Sequence, residues 1–179
     1  MPKAKRAEEL PDVQNDNNSL IQKRINKVGI RKVILPCKVE RKDGTFNDCV
    51  ADISVYSDLN KYTKGVNMSR YRIILEETFV NKNVNLREAI RTSLKEVKEK
   101  LQARDAYLKV SFDYFLTRFA PVTKIPSLQN YRCTLEGRII DGRERYYMTV
   151  KVPYTSLCPC SKKISEYNAH NQRSFGDVI

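Results

Sequence analysis

Cys49-Val50-Ala51-Asp52-Ile53-Ser54-Val55 puts Cys49, Ala51, Ile53 and Val55 on one face of a strand and Val50, Asp52 and Ser54 on the other. A period of two with one apolar face is the mark of a half-buried antiparallel strand. Just upstream, Lys42-Asp43-Gly44-Thr45 contains Asp-Gly, a strong hairpin signal, and before it Ile30 to Val39 holds a β-branched run. The chain therefore opens its folded part with a β-hairpin.

Downstream the period changes to that of a helix. Met68, Tyr71, Ile74, Leu75 and Phe79 recur at helical spacing, and so do Leu86, Ile90, Leu94, Val97 and Leu101, with charged residues opposite. The period of two then returns in Leu108, Val110, Phe112 and Tyr114, in Tyr131, Cys133, Leu135, Gly137 and Ile139, and in Tyr146, Met148, Val150 and Val152. Asp141-Gly142 is a second hairpin signal. Residues 120–128, with Pro121 and Pro126, read as a loop, so the last hairpin need not pair in simple order with the strand before it.

These elements predict an α+β domain: an antiparallel sheet with two helices on one face and a partly polar opposite face. Its exposed edges predict closure by side-by-side assembly, hence a homo-oligomer. Residues 1–24 are rich in Asp, Asn, Glu and Lys and read as a flexible lead-in. The first folded unit spans 25–157, and 158–179 forms a distinct segment.

At 41% hydrophobic and 30% charged residues the composition is that of a globular protein, and no apolar run approaches the roughly 20 residues a membrane helix needs. The basic start lacks the apolar core of a secretory signal, and five cysteines make an odd count that suits a reducing compartment. The expected location is the cytoplasm. Cys37, Cys49 and Cys133 read as small buried hydrophobes. The formal charge of +12 favours anionic partners without distinguishing nucleic acid, acidic membrane or polyphosphate.

Val152 to Ser174 differs from the rest. A strand runs directly into Cys158-Pro159-Cys160, where proline stiffens the backbone between two thiols. His170, the only histidine, follows twelve residues after Cys158. Thiolate plus imidazole suits a borderline metal such as zinc. Structural four-ligand sites usually show two close pairs, and here there is one, so the set is incomplete and leaves an open position. By spacing alone, an ordinary solvated loop is the competing reading. Ser161, Lys162, Lys163, Asn171, Gln172 and Arg173 crowd the segment with groups that hold anions.

The run Leu157-Cys158-Pro159-Cys160-Ser161-Lys162 followed by Ala169-His170-Asn171-Gln172-Arg173 closely resembles the signature of the type IB GTP cyclohydrolases. Leu10-Pro11-Asp12-Val13-Gln14, Asn26 to Ile30 and Lys64 to Arg70 resemble the same family in the same order. The resemblance implies the tunnelling fold (T-fold), in which ββααββ units join around an axis into an oligomeric barrel with active sites between subunits, here a tetramer. It also implies a second such unit, so that Phe175 to Ile179 is expected to start its first strand and the chain to be truncated. The expected reaction opens the imidazole ring of GTP at C8, releases formate and gives 7,8-dihydroneopterin triphosphate, a first step of folate (tetrahydrofolate) and pterin or queuosine biosynthesis. Attack at that carbon needs a strong nucleophile, which a divalent metal supplies by lowering the pKa of water.

By the family pattern Cys158 and His170 are the metal ligands, with zinc, manganese or iron as the ion. Cys160 is either a proton donor and acceptor beside C8 or a supporting thiol. Ser161, Lys162 and Arg173 are candidates for the triphosphate. Ser69 and Arg70, at a predicted helix start, are a second phosphate candidate, with helix capping by Ser69 or Asn67 as the structural alternative. Asn67 stands where many members have histidine, and Lys163 and Asn168 stand where Glu and Gly are frequent. A further metal-binding Glu and the guanine-anchoring Glu are expected beyond Ile179. The rivals are an archaeal-type cyclohydrolase giving a cyclic-phosphate pterin, a non-catalytic pterin- or purine-binding homologue, and a basic nucleic-acid-binding zinc module. The first two share this fold. The third is disfavoured because the basic residues are spread along the chain; neither nucleic acid nor membrane is an expected partner.

Overall fold

The computed structural model describes residues 23–63, 65–80, 82–83, 85–166 and 171–179. The lead-in before residue 23, the Leu10–Gln14 motif within it, and Lys64, Asn168, Ala169 and His170 lie outside the described residues.

Six strands form one antiparallel sheet in simple sequence order. They are β1 (Ile25–Glu40), β2 (Phe46–Leu59), β3 (Ala106–Phe119), β4 (Pro126–Ile140), β5 (Arg143–Leu157) and β6 (Asn171–Val178). Helices α1 (Met68–Phe79) and α2 (Leu86–Lys100) follow β2, and a short helix α3 (Pro159–Ile164) separates β5 from β6. This is the α+β class expected, with α1 and α2 together on one face.

The alternation in β2 does what its period requires: Ala51, Ile53 and Val55 are fully buried, and Leu108, Val110 and Phe112 of β3 lie beside them. From the helices come Tyr71, Ile74, Leu75 and Phe79 of α1 and Ile90, Leu94 and Val97 of α2. Helix α2 presses on β4 at Gly137, where an added methyl would sit 2.8 Å from Leu94 Cδ1 and closer still to Ile90. The α2 start is tied down by Asn85, whose side chain accepts from the Arg87 amide at 3.0 Å and donates to Glu40 at 2.9 Å. Both predicted turns form. Asp141 and Gly142 take positive φ (49° and 77°), the pair of left-handed residues that a two-residue hairpin needs.

The end of the sheet nearest the α2 C-terminus is locked by charge. Asp58 accepts from the amides of Arg104 (2.8 Å) and Asp105 (2.9 Å), while Arg24 reaches both Asp58 and Asp105 at 3.2 Å. Asp105 in turn accepts from the Asp141 amide, and Arg104 pairs with the Asp141 carboxylate. The face away from the helices is polar, as expected, with Lys109 and Arg138 on Glu136 and Arg132 on Asp113. Burial pushes the Glu136 carboxyl up, but its bonds to Arg138 and Lys109 outweigh that and hold it below the usual range.

Three expectations need correction. Strand β4 begins at Pro126, inside the stretch 120–128 read as a loop, and Pro126 pairs with Phe119. Proline is tolerated there because it is the first residue of the strand. The strands after this turn pair in simple order, with no crossover. The last strand begins at Asn171 rather than near Phe175, and it joins the same sheet through β5.

Candidate active site

Strand β5 ends at Leu157 and delivers Cys158 as the N-cap of α3, with Pro159 at the first helical position, where its missing N–H costs nothing. The Ser165 amide bonds the Ser161 carbonyl at 2.9 Å and closes the turn. This geometry turns the Ser161 hydroxyl and the amides of Ser161 and Cys160 toward the Cys158 sulfur. They do not form a capping bond of full geometry, yet the Ser161 hydroxyl above all, then those amides, hold the thiol below its usual value. A thiol that ionises more readily is a readier metal ligand. Cys158 is half-buried and Cys160 is exposed.

Ser161 is half-buried beside the sulfur, whereas Lys162 and Lys163 are exposed in the last turn of α3. The chain comes back at β6, where Asn171 pairs with Leu157, Gln172 with Ser156 and Arg173 with Thr155. Arg173 is exposed, its guanidinium 5.4 Å from the Phe175 ring centre. Cross-strand partners share a face, so Arg173 stands beside Thr155. Cys158, Cys160, Ser161, Lys162 and Arg173 are therefore gathered at one end of the sheet. His170, the other expected metal ligand, is outside the described residues. Among the described residues no group of three or more His, Cys, Asp or Glu is placed to hold a metal ion.

Ser69 and Arg70 lie at the other end. Tyr71, beside them on α1, donates to the Val28 carbonyl and meets the Ser57 hydroxyl at 2.6 Å; Ser57 pairs with Ala106 and Ala106 with Ile139. Strand β5 starts opposite Ile140 and passes Arg132 at Lys151, so Leu157 lies toward Pro126 and Phe119. Along β3 the two ends are thirteen residue steps apart, roughly 40 Å at strand rise. Ser69 donates to Asn67 at 2.6 Å, and Arg70 donates to the Lys100 carbonyl at 3.2 Å. Asn67 is the N-cap but makes no capping bond with its own side chain.

Two features at the site had escaped sequence reading. Arg173 lies within a strand, a placement visible only once β6 pairs with β5. Phe119, Leu128, Leu157 and Phe175 are large apolar side chains left exposed at this end of the sheet. Their placement at one end of the sheet follows from strand pairing, which nothing local in the sequence displays.

Residues 10–179 match the family model described as "Type I GTP cyclohydrolase folE2". A protein named GTP cyclohydrolase FolE2 from Azoarcus sp. (strain BH72) is 43% identical over 173 residues, covering 96% of this chain and 63% of the relative. Proteins of the same name from Nitrosococcus oceani (41% over 154 residues; 86% and 57% covered) and Burkholderia pseudomallei (42% over 165 residues; 92% and 60%) are similar. The chain thus spans about 60% of the length of the curated relatives it matches. Their names give FolE2 within type I, and this replaces the type IB label attached to the motifs above.

Proposed function

The chain belongs to the type I GTP cyclohydrolase FolE2 family, and from that premise we propose that it carries the metal-binding part of an active site converting GTP to 7,8-dihydroneopterin triphosphate and formate. One observation carries the reading. Leu157, the chain neighbour of Cys158, and Asn171 are cross-strand partners, which brings Asn171, Gln172 and Arg173 of the second motif back to the end of β5.

The donor chemistry fits a divalent metal: a thiol held below its usual value, with an imidazole from His170 as the second ligand. Zinc, manganese or iron bound there would supply Lewis acidity next to C8 of the purine. The chain's own residues have distinct tasks. Cys158 holds the ion as thiolate, and the Ser161 hydroxyl and backbone amides keep that thiolate charged. Cys160, exposed beside it, gives or takes a proton at C8 in this reading. Lys162 and Arg173 carry positive charge to the same end of the sheet, where the triphosphate needs it, Arg173 as a bidentate donor.

Ser69 and Arg70 are about a strand length from Cys158 in their own chain, so they serve the same triphosphate only from a second copy. That supports sites between subunits. So do the open edges of β1 and β6 and the apolar side chains exposed around Leu157. The assembly proposed is a T-fold barrel, a tetramer, in which 25–157 forms one unit and 158–179 carries the site segment into the next. Among the described residues no helix is long and apolar enough to cross a membrane. All five cysteines are unbridged, in keeping with a cytoplasmic enzyme.

Replacing Cys158 by Ala tests the reading. In the full-length protein, metal content by mass spectrometry and formate release from GTP are both expected to be lost, and a variant that keeps both overturns the assignment. Arg173→Ala is expected to raise KM for GTP at least about tenfold with metal retained, the loss of one charge-assisted phosphate contact. Unchanged kinetics would remove Arg173 from the site.

A further inference from the structure

We propose that Cys37 and Cys49 are a redox-modification site, a cross-strand dithiol that closes to a reversible disulfide on exchange with a low-molecular-weight disulfide such as glutathione disulfide. Cys37 of β1 and Cys49 of β2 are direct register partners, and their sulfurs are 3.0 Å apart. Directly opposed residues in an antiparallel ladder have Cα atoms about 4.5–5.5 Å apart, inside the range of about 4.4–6.8 Å that a disulfide spans. A bond of about 2.05 Å therefore needs only a small side-chain rotation, with no movement of the strands.

Access sets the order. Cys37 is buried, while Cys49 is half-exposed and is the sulfur that a small disulfide reaches first. In the first exchange Cys49, its proton lost to solvent, attacks one sulfur of glutathione disulfide, and one glutathione leaves as thiol. Cys37 then attacks the Cys49 sulfur and displaces the second glutathione. Two cysteine thiols are oxidised, and one glutathione disulfide is reduced to two thiols. The exposed Cys160 lies beside Cys158 two residues away rather than across a strand, and the double variant below separates that pair from the hairpin.

Closure pins the turn at residues 38–48. Beyond the bridge, Val39, Glu40, Arg41 and Lys42 form one wall of a groove of about 390 Å³ whose other walls come from the start of α2 and from β3, β4 and β5. The oxidised pair holds that wall to the sheet.

The test is peptide mapping of the full chain after equilibration with glutathione disulfide. Tryptic peptides 33–38 and 43–61 should appear joined, two hydrogens lighter than their sum, and separate again on treatment with dithiothreitol. The link should be at least about tenfold more abundant in the folded chain than in urea at the same thiol–disulfide ratio. A Cys158→Ser/Cys160→Ser double variant should retain it, and Cys49→Ser, with unchanged circular dichroism, should lose it. Separate peptides, glutathione adducts on Cys49 without the link, or pairing of either cysteine with another overturns the proposal.

Discussion

Strand β3 can be compared with itself. Over its first half Leu108, Val110 and Phe112 are buried beneath the helices; on the same face of its second half Tyr114 is half-buried and Leu116 is 41% exposed. The difference is length. Helix α2 has 15 residues and extends about 22 Å, whereas the 14 residues of β3 extend about 45 Å. A helix of nearly equal residue count therefore covers only half of its strand. The covered half is a finished core. The uncovered half bears the Cys158 segment, so this chain's candidate site sits on surface that the chain alone leaves open.

The largest expected effect tests that contrast directly. Leu94→Ala, in the covered half, should cost about 3–4 kcal/mol in urea unfolding, since the cavity is enclosed by β3, β4 and α2. Leu116→Ala, at 41% exposure on the same face of the open half, should change stability by less than about 1 kcal/mol. Equal losses would show that the open half is packed in solution, and the comparison would fail.

Next comes the lock at the covered end. Asp58→Ala strands the amides of Arg104 and Asp105 and removes one partner of the half-exposed Arg24, a loss of about 2–3 kcal/mol. Hydrogen exchange should quicken at residues 101–106 while the Cys158 end is unaffected. Exchange that rises equally at both ends would mean the two halves open together.

The smallest effect is a pH limb. Burial, first of all, pushes the Tyr71 phenol above its usual 10. A raised folded value favours the protonated form, so this stabilisation is complete below about pH 10, the unfolded value, and is lost as pH rises through the folded one. Tyr71→Phe should cost about 1 kcal/mol at neutral pH through its bonds to Ser57 and Val28, and it should flatten the alkaline decline. An unchanged decline in the variant would place its origin elsewhere.

Much of this was legible beforehand, for identifiable reasons. Ala51, Ile53 and Val55 advertise a buried face because strand side chains alternate, and Leu86 to Leu101 advertise a helix because four turns run without Gly or Pro. Asp43-Gly44 and Asp141-Gly142 mark turns because the backbone there must adopt positive φ, at Gly44 in the first and at both residues in the second. Pro126 misled, since proline usually ends a strand and here starts one. Strand β6 was placed too late because its first residues, Asn171, Gln172 and Arg173, are polar on both faces and carry no period. Cys37 and Cys49 each read as a small apolar residue, and only the register of the hairpin makes them a pair.

By itself, then, the amino-acid sequence determined the two helices and most of the strands, the helix-bearing face of the sheet, the Cys158 motif and the resemblance to a GTP cyclohydrolase, because each depends on residues near one another or on a fixed spacing. The tertiary structure decided how far the helices reach, that Asn171 returns to Leu157, that Ser69 and Arg70 stand a strand length from Cys158, and that two sulfurs meet at 3.0 Å. Those depend on register and element length, through which residues distant in the chain are brought together or held apart.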